Sequence, residues 1–125
     1  MLTPYLAISV GGALGANARY LLASWATTQW ATHLPVATLL INVSGSCVLG
    51  VYLTLVTDRF TGHPATQLLV ATGFLGAYTT FSTFAFESVG LVRRRAYVLA
   101  TANVLGSTVL GLLGAWIGAM VARAI

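Results

Sequence analysis

Four apolar stretches, each long enough to cross a bilayer, take up almost the whole chain: residues 4–25, 35–57, 64–92 and 96–121. At 1.5 Å of rise per residue, about 20 such residues cross the hydrocarbon core as a helix. Of the 125 residues, 58% are hydrophobic and only 6% are charged, more apolar surface than a soluble domain of this size can bury. The expected class is therefore an all-α integral membrane protein, one transmembrane domain over residues 1–125. The first stretch has no basic segment ahead of it and reads as a retained span.

The polar residues then narrow the chemistry. Six Arg and no Lys stand against Asp58 and Glu87, for a net charge of +4. Most of these charges flank the spans, and no basic tract is long enough for nucleic acid. Cys47 stands alone, which excludes an intrachain disulfide and a cysteine metal cluster. Both histidines, His33 and His63, fall between spans, so the many Ser and Thr have no intramembrane base to activate them. No enzyme is expected.

The third stretch is the anomalous one. Residues 71–87 read ATGFLGAYTTFSTFAFE. Gly73 and Gly76 each weaken a helix by roughly 1 kcal/mol relative to Ala, and Thr79, Thr80, Ser82 and Thr83 crowd hydroxyls around Phe81 and Phe84. In hydrocarbon, freed backbone groups need protein partners or a polar cavity. The segment therefore reads either as a broken helix that builds an ion or substrate site, or as a Gly/Ser/Thr face used for close packing.

Spacing and depth add to this. Asn42, Ser46 and Gly50 form one stripe on the second span, and Asn103, Ser107 and Gly111 repeat it on the fourth. With four spans, both termini share one side with residues 58–63; the first loop and Arg93–Arg95 lie on the other. Asn42 and Asn103 are each about seven residues, roughly 10 Å, inside that second side, and Phe84 is at similar depth. Phe81 and Ser107 lie deeper. Amides, ring edges and hydroxyls suit a small anion better than a cation. Arg19 reads either as a snorkelling side chain or as a vestibule charge. It lies at the depth of Glu87, and helical register leaves their pairing open. Gly11 with Gly15 and Gly114 with Gly118 form GxxxG pairs for close helix approach. The Arg count is nearly balanced across the two sides, and four short spans cannot enclose a pore alone, so an oligomer with insertion in both orientations is expected.

GFLGAYTTFSTFAFE, with GGALGANARY in the first span and TLLINVSGSCVLG in the second, resembles the Fluc (CrcB) family of fluoride channels over essentially the whole chain. The resemblance implies a passive channel that lets cytoplasmic fluoride escape and confers fluoride resistance. It implies a multi-pass protein of the inner (plasma) membrane, surrounded by lipid and built as an antiparallel, dual-topology homodimer with two pores. It implies an anion path along Phe81, Phe84, Asn42, Ser82 and Thr83, with Asn103 and Ser107 from the fourth span. It also implies a structural Na⁺ at the dimer interface, held by backbone carbonyls at Gly76 and Thr79. Arg19 and Glu87 are candidate vestibule charges, and a paralogous subunit is an alternative partner. The competing expectation is a small four-span, dual-topology, proton-coupled exporter. The essential acid of such exporters lies in the first span, where this chain has none.

Overall fold

In the computed structural model, residues 3–58 and 63–125 are described. The expected loop at 58–63 therefore falls largely outside the described residues, Arg59 included. All regular structure among the described residues is helical. Four segments are long and apolar enough to cross a membrane: Thr3–Gln29, Val36–Asp58, Pro64–Arg93 and Tyr97–Ala124. We call the first two α1 and α2. The third is split: α3 runs through Pro64–Gln67, Leu68–Leu75 and Gly76–Tyr78, and α4 is Phe81–Arg93. The last, Tyr97–Ala124, is α5. α1 continues four residues past the expected exit at Trp25, whose ring meets that of Trp30 edge-on at 5.3 Å.

Glycine determines which helices pair. α1 lies along α3, and α2 along α5. A Cβ on Gly15 would collide with the Phe74 carbonyl, and one on Gly118 with the Cys47 carbonyl. Each site lets two backbones touch, which is how membrane helices gain dispersion energy when lipid is as apolar as their side chains. Where α1 presses on it, α3 is wound with π-type bonds over Leu68–Leu75, and the Gly76 N–H reaches back five residues to the Ala71 carbonyl.

The third span breaks at Thr79 and Thr80, which are extended (φ −78°, ψ 157° and φ −150°, ψ 109°). The glycine and hydroxyl content expects a break within 71–87, and the family resemblance puts it at 76–79. Gly76 is instead helical (φ −64°, ψ −37°), and Gly73 is buried against Ile8 and Gly11 of α1. Glycine here serves packing; threonine makes the break.

α4 ends in a Schellman motif. Ala96 N–H bonds the Leu91 carbonyl at 3.0 Å and Arg95 N–H bonds the Val92 carbonyl at 2.9 Å. Arg95 (φ 59°) occupies the left-handed position usually given to glycine, at a cost of roughly 1–2 kcal/mol. At the opposite end of the bundle, Arg123 pairs with Asp58 at 3.5 Å and ties α5 to α2.

A single chain leaves much surface bare. It exposes 8133 Å², whereas a compact soluble chain of its 13.1 kDa would expose about 6,400 Å².

Packing of this kind separates two neighbouring glycines. Gly15→Leu should cost about 3 kcal/mol through overpacking, because the Phe74 backbone cannot yield. Gly12→Ala has nothing within 4 Å of its new methyl and should leave stability unchanged or raise it by up to about 1 kcal/mol. Thermal melting in detergent checks both, and equal losses for the two variants would contradict the packing account.

Candidate functional site

The break leaves the Thr80 N–H without a helical carbonyl, and α2 answers it. Asn42 Oδ1 accepts the Thr80 N–H at 2.8 Å, and Asn42 Nδ2 donates to the Thr80 carbonyl at 3.0 Å. A side-chain amide thus pairs with a backbone residue as a neighbouring strand would. Asn42 is held within reach because Gly45, one turn further along α2, is buried against the side chains of Thr79 and Tyr78.

On the far side of the break, Thr80 caps α4. Its Oγ1 accepts the Thr83 N–H at 3.3 Å and lies 2.9 Å from Thr83 Oγ1 and 3.3 Å from Ser82 Oγ. Two of the four helical bonds that would cross the break are thus redirected to new partners. The N–H of Thr80 would return to the Gly76 carbonyl in an unbroken helix, and that of Thr83 to the Thr79 carbonyl. They go to Asn42 and to the Thr80 hydroxyl instead.

Beside the break lies an open cleft of ≈ 290 Å³ where α2, the break and α5 meet. Asn42, Ser46, Thr80, Phe81, Phe84 and Ser107 are among its lining residues, and none of those residues is charged. Phe81 and Phe84 have ring centroids 5.6 Å apart and planes tilted by 49°. Phe81 is 78% exposed in the single chain, so the cleft has no wall on that side.

A second cavity of ≈ 390 Å³ opens on the other flank of Thr80. Arg19, Thr38, Thr83 and Glu87 line it. Arg19 and Glu87 share this space, yet no ion pair joins them. Glu87 Oε1 instead accepts the Thr38 hydroxyl at 2.9 Å, and Glu87 Oε2 is buried without a hydrogen-bond partner.

The expected site residues thus separate into groups. Asn42, Phe81, Phe84, Ser107 and Thr79 meet at the cleft; Thr83, Arg19 and Glu87 meet at the second cavity. Ser82 is exposed on α4 and joins the group through Thr80. Asn103 lines neither space. It is 4% exposed and donates to Ser88 Oγ at 2.9 Å, while Ser107 donates to its Oδ1 at 3.4 Å. Asn103 is a strut between α5 and α4, one layer behind the cleft. Gly76 is exposed at the end of α3.

Residues 6–119 match the family described as CrcB-like protein, Camphor Resistance (CrcB). The chain belongs to the CrcB family. It is 44% identical over 119 residues to the fluoride-specific ion channel FluC of Solibacter usitatus (strain Ellin6076), covering 95% of this chain and 98% of that protein. It is also 44% identical over 118 residues to the protein of that name from Roseiflexus sp. (strain RS-1), at 94% and 95% coverage. With the FluC of Legionella pneumophila (strain Paris) the identity is 39% over 123 residues, covering 98% of this chain and 92% of that protein.

Thr38 and Ser88 escape the sequence reading of this CrcB-family site, and Thr80 enters it only as one hydroxyl among four. Thr38 continues the Asn42–Ser46 stripe one turn earlier, so the i, i+4 rule reaches it. Thr80 is visible as an N-cap once α4 is known to begin after it. Ser88 has no signal of spacing or composition, because its role depends on the facing of α5.

The amide bridge gives a direct test. Asn42→Leu keeps bulk but strips the Thr80 N–H of its acceptor, and an unmet backbone donor costs about 1–3 kcal/mol. Hydrogen exchange at the Thr80 amide should rise about tenfold or more, since 1.4 kcal/mol is a factor of ten. Unchanged exchange in a folded variant would show that the break stands without Asn42.

Proposed function

We propose that this chain is one subunit of a passive, fluoride-selective channel through which cytoplasmic fluoride leaves the cell. The observation that carries the proposal is the uncharged cleft at the break, where hydrogen-bond donors converge. Asn42 Nδ2 spends one proton on Thr80 and keeps a second, and Ser46 adds a hydroxyl. The tilted rings of Phe81 and Phe84 add edges, the positive part of a phenyl quadrupole. Fluoride is small and firmly hydrated, so a path that strips its water must return donors at short range. The names of the relatives, ion channels for fluoride, agree with this chemistry. A proton-driven exporter finds no acid in α1 to carry it.

The working unit in this proposal is an antiparallel homodimer with both orientations in the membrane. The exposed Phe81 and the polar cleft that one chain leaves open support it, since a second copy would wall the cleft off from lipid. A structural Na⁺ also fits this chain: the N–H groups that would meet the Gly76 and Thr79 carbonyls in an unbroken helix go to Asn42 and Thr80 instead, which leaves those oxygens to act as ligands. When bound, Na⁺ would supply positive charge at the break and hold two copies of it together. The protein's part is to keep those carbonyls free, through Asn42 and Thr80.

Fluoride efflux from proteoliposomes tests the channel. Phe81→Ile and Phe84→Ile keep apolar bulk but remove the ring edge, and each should lower the rate about tenfold or more, equivalent to about 1.4 kcal/mol, with the dimer intact. Near-normal flux in the folded double variant would falsify the aromatic path.

The assembly is tested separately. A cysteine placed at Arg94 should label as two populations in whole cells, one accessible and one protected, and exchanging Na⁺ for choline should lower the melting temperature of the purified dimer. One uniform orientation would end the dual-topology claim; a melting temperature indifferent to Na⁺ would end the sodium claim.

A further inference from the structure

Ser82 and Thr83 sit in different surroundings, yet both hydroxyls reach the same atom. Both are exposed in the single chain, but Thr83 lines the cavity that holds Arg19 and Glu87 and Ser82 lies outside it. Between them stands Thr80, 8% exposed and set in the wall of both the cleft and the second cavity. Asn42 holds both its backbone N–H and its carbonyl, which leaves the hydroxyl proton as its one mobile part.

Counting protons limits what that hydroxyl can do. A threonine hydroxyl has one proton to donate and two positions that accept. One accepting position is filled by the Thr83 N–H. One donor and one acceptor then remain for two neighbouring hydroxyls, Ser82 Oγ at 3.3 Å and Thr83 Oγ1 at 2.9 Å. When Thr80 donates to Ser82, Thr83 donates to Thr80, and the Ser82 proton is the free one. When Thr80 donates to Thr83, Ser82 donates to Thr80, and the Thr83 proton is free. The three hydroxyl protons are conserved; only O–H rotations separate the two arrangements.

We propose that Thr80 is a positioning residue of the anion path, whose single hydroxyl proton decides whether Ser82 or Thr83 offers a free O–H. The swap carries the donor from Ser82, outside the cavity of Arg19, to Thr83, in its wall, so that an anion meets a donor at each stop and is held permanently at neither. This inference rests on the fluoride-channel reading and deepens it.

Three substitutions, measured as fluoride efflux from proteoliposomes, separate this role from simple capping. Thr80→Ser keeps the hydroxyl and should conduct within about threefold of the parent chain. Thr80→Val keeps the shape and loses the hydroxyl. Thr80→Asn keeps a good N-cap oxygen, but an amide has fixed donors and acceptors that cannot exchange roles. Both Val and Asn should lower efflux about tenfold or more, while the Asn variant keeps the parent's elution volume and melting temperature. The Asn variant carries the test should Val fail to fold. Parent-like efflux from Thr80→Asn, or a loss in Thr80→Ser as large as in Thr80→Val, would overturn the proposal. Absence of fluoride efflux from the parent chain itself would sink the channel reading, and this inference with it.

Discussion

The amide of Asn42 against the backbone of Thr80 is the interaction on which the rest of the site depends. A helix interrupted in hydrocarbon leaves donors and acceptors that cost several kcal/mol each if unmet. One side chain with a donor and an acceptor on the same face meets two of them at once, at 2.8 and 3.0 Å. That economy explains why the break stops after two residues. Thr79 still closes the preceding helix, its N–H and its hydroxyl both directed to the Leu75 carbonyl, and Thr80 opens the next with its own hydroxyl.

For Asn42 to reach Thr80, α2 must come close to the third span, and glycine decides whether it can. Gly45 is buried where the side chains of Thr79 and Tyr78 cross it. Tyr78 in turn places its hydroxyl 2.9 Å from Ser44 and stacks on Phe74, with centroids 6.0 Å apart and planes within 9°. Phe74 is the residue whose carbonyl meets Gly15 of α1. A run of close contacts thus leads from α1 through α3 to the break. Small residues bring the backbones together, and polar ones then find their partners.

Much of this is legible in the sequence, and the parts that are not share a cause. The four spans follow from hydropathy, and the disturbance in the third follows from its Gly and hydroxyl content. The location of the break does not, because helix propensity charges Gly73 and Gly76 for flexibility that the fold never uses. Both stay helical; Gly73 is taken up by contact with α1. Depth counting puts Asn42, Phe84 and Asn103 at one level, but depth cannot say which way a residue faces. Asn42 faces the break; Asn103 turns behind it to Ser88. Arg19 and Glu87 share a cavity, as their depth allows, yet the carboxylate bonds Thr38. The rotation of one helix against another is a tertiary quantity, and a local pattern has no term for it.

The break therefore sets two opposite electrostatic demands side by side. On one edge, the Gly76 and Thr79 carbonyls present negative ends without helical donors; on the other, Asn42, Ser46 and the ring edges present positive ends around an uncharged cleft. In water such neighbours would be screened, but in a low-dielectric interior they act on each other strongly. A bare carbonyl edge would repel an anion approaching the donors. A cation on that edge, as proposed, would reverse the sign of the local field, and the donors would then work with it. The diversion of two N–H groups by Asn42 and Thr80 would thus shape both ion sites through one set of hydrogen bonds. As proposed, the anion path and the cation site would share one arrangement, because the same stretch redirects two N–H groups on one side and gathers the hydroxyls on the other.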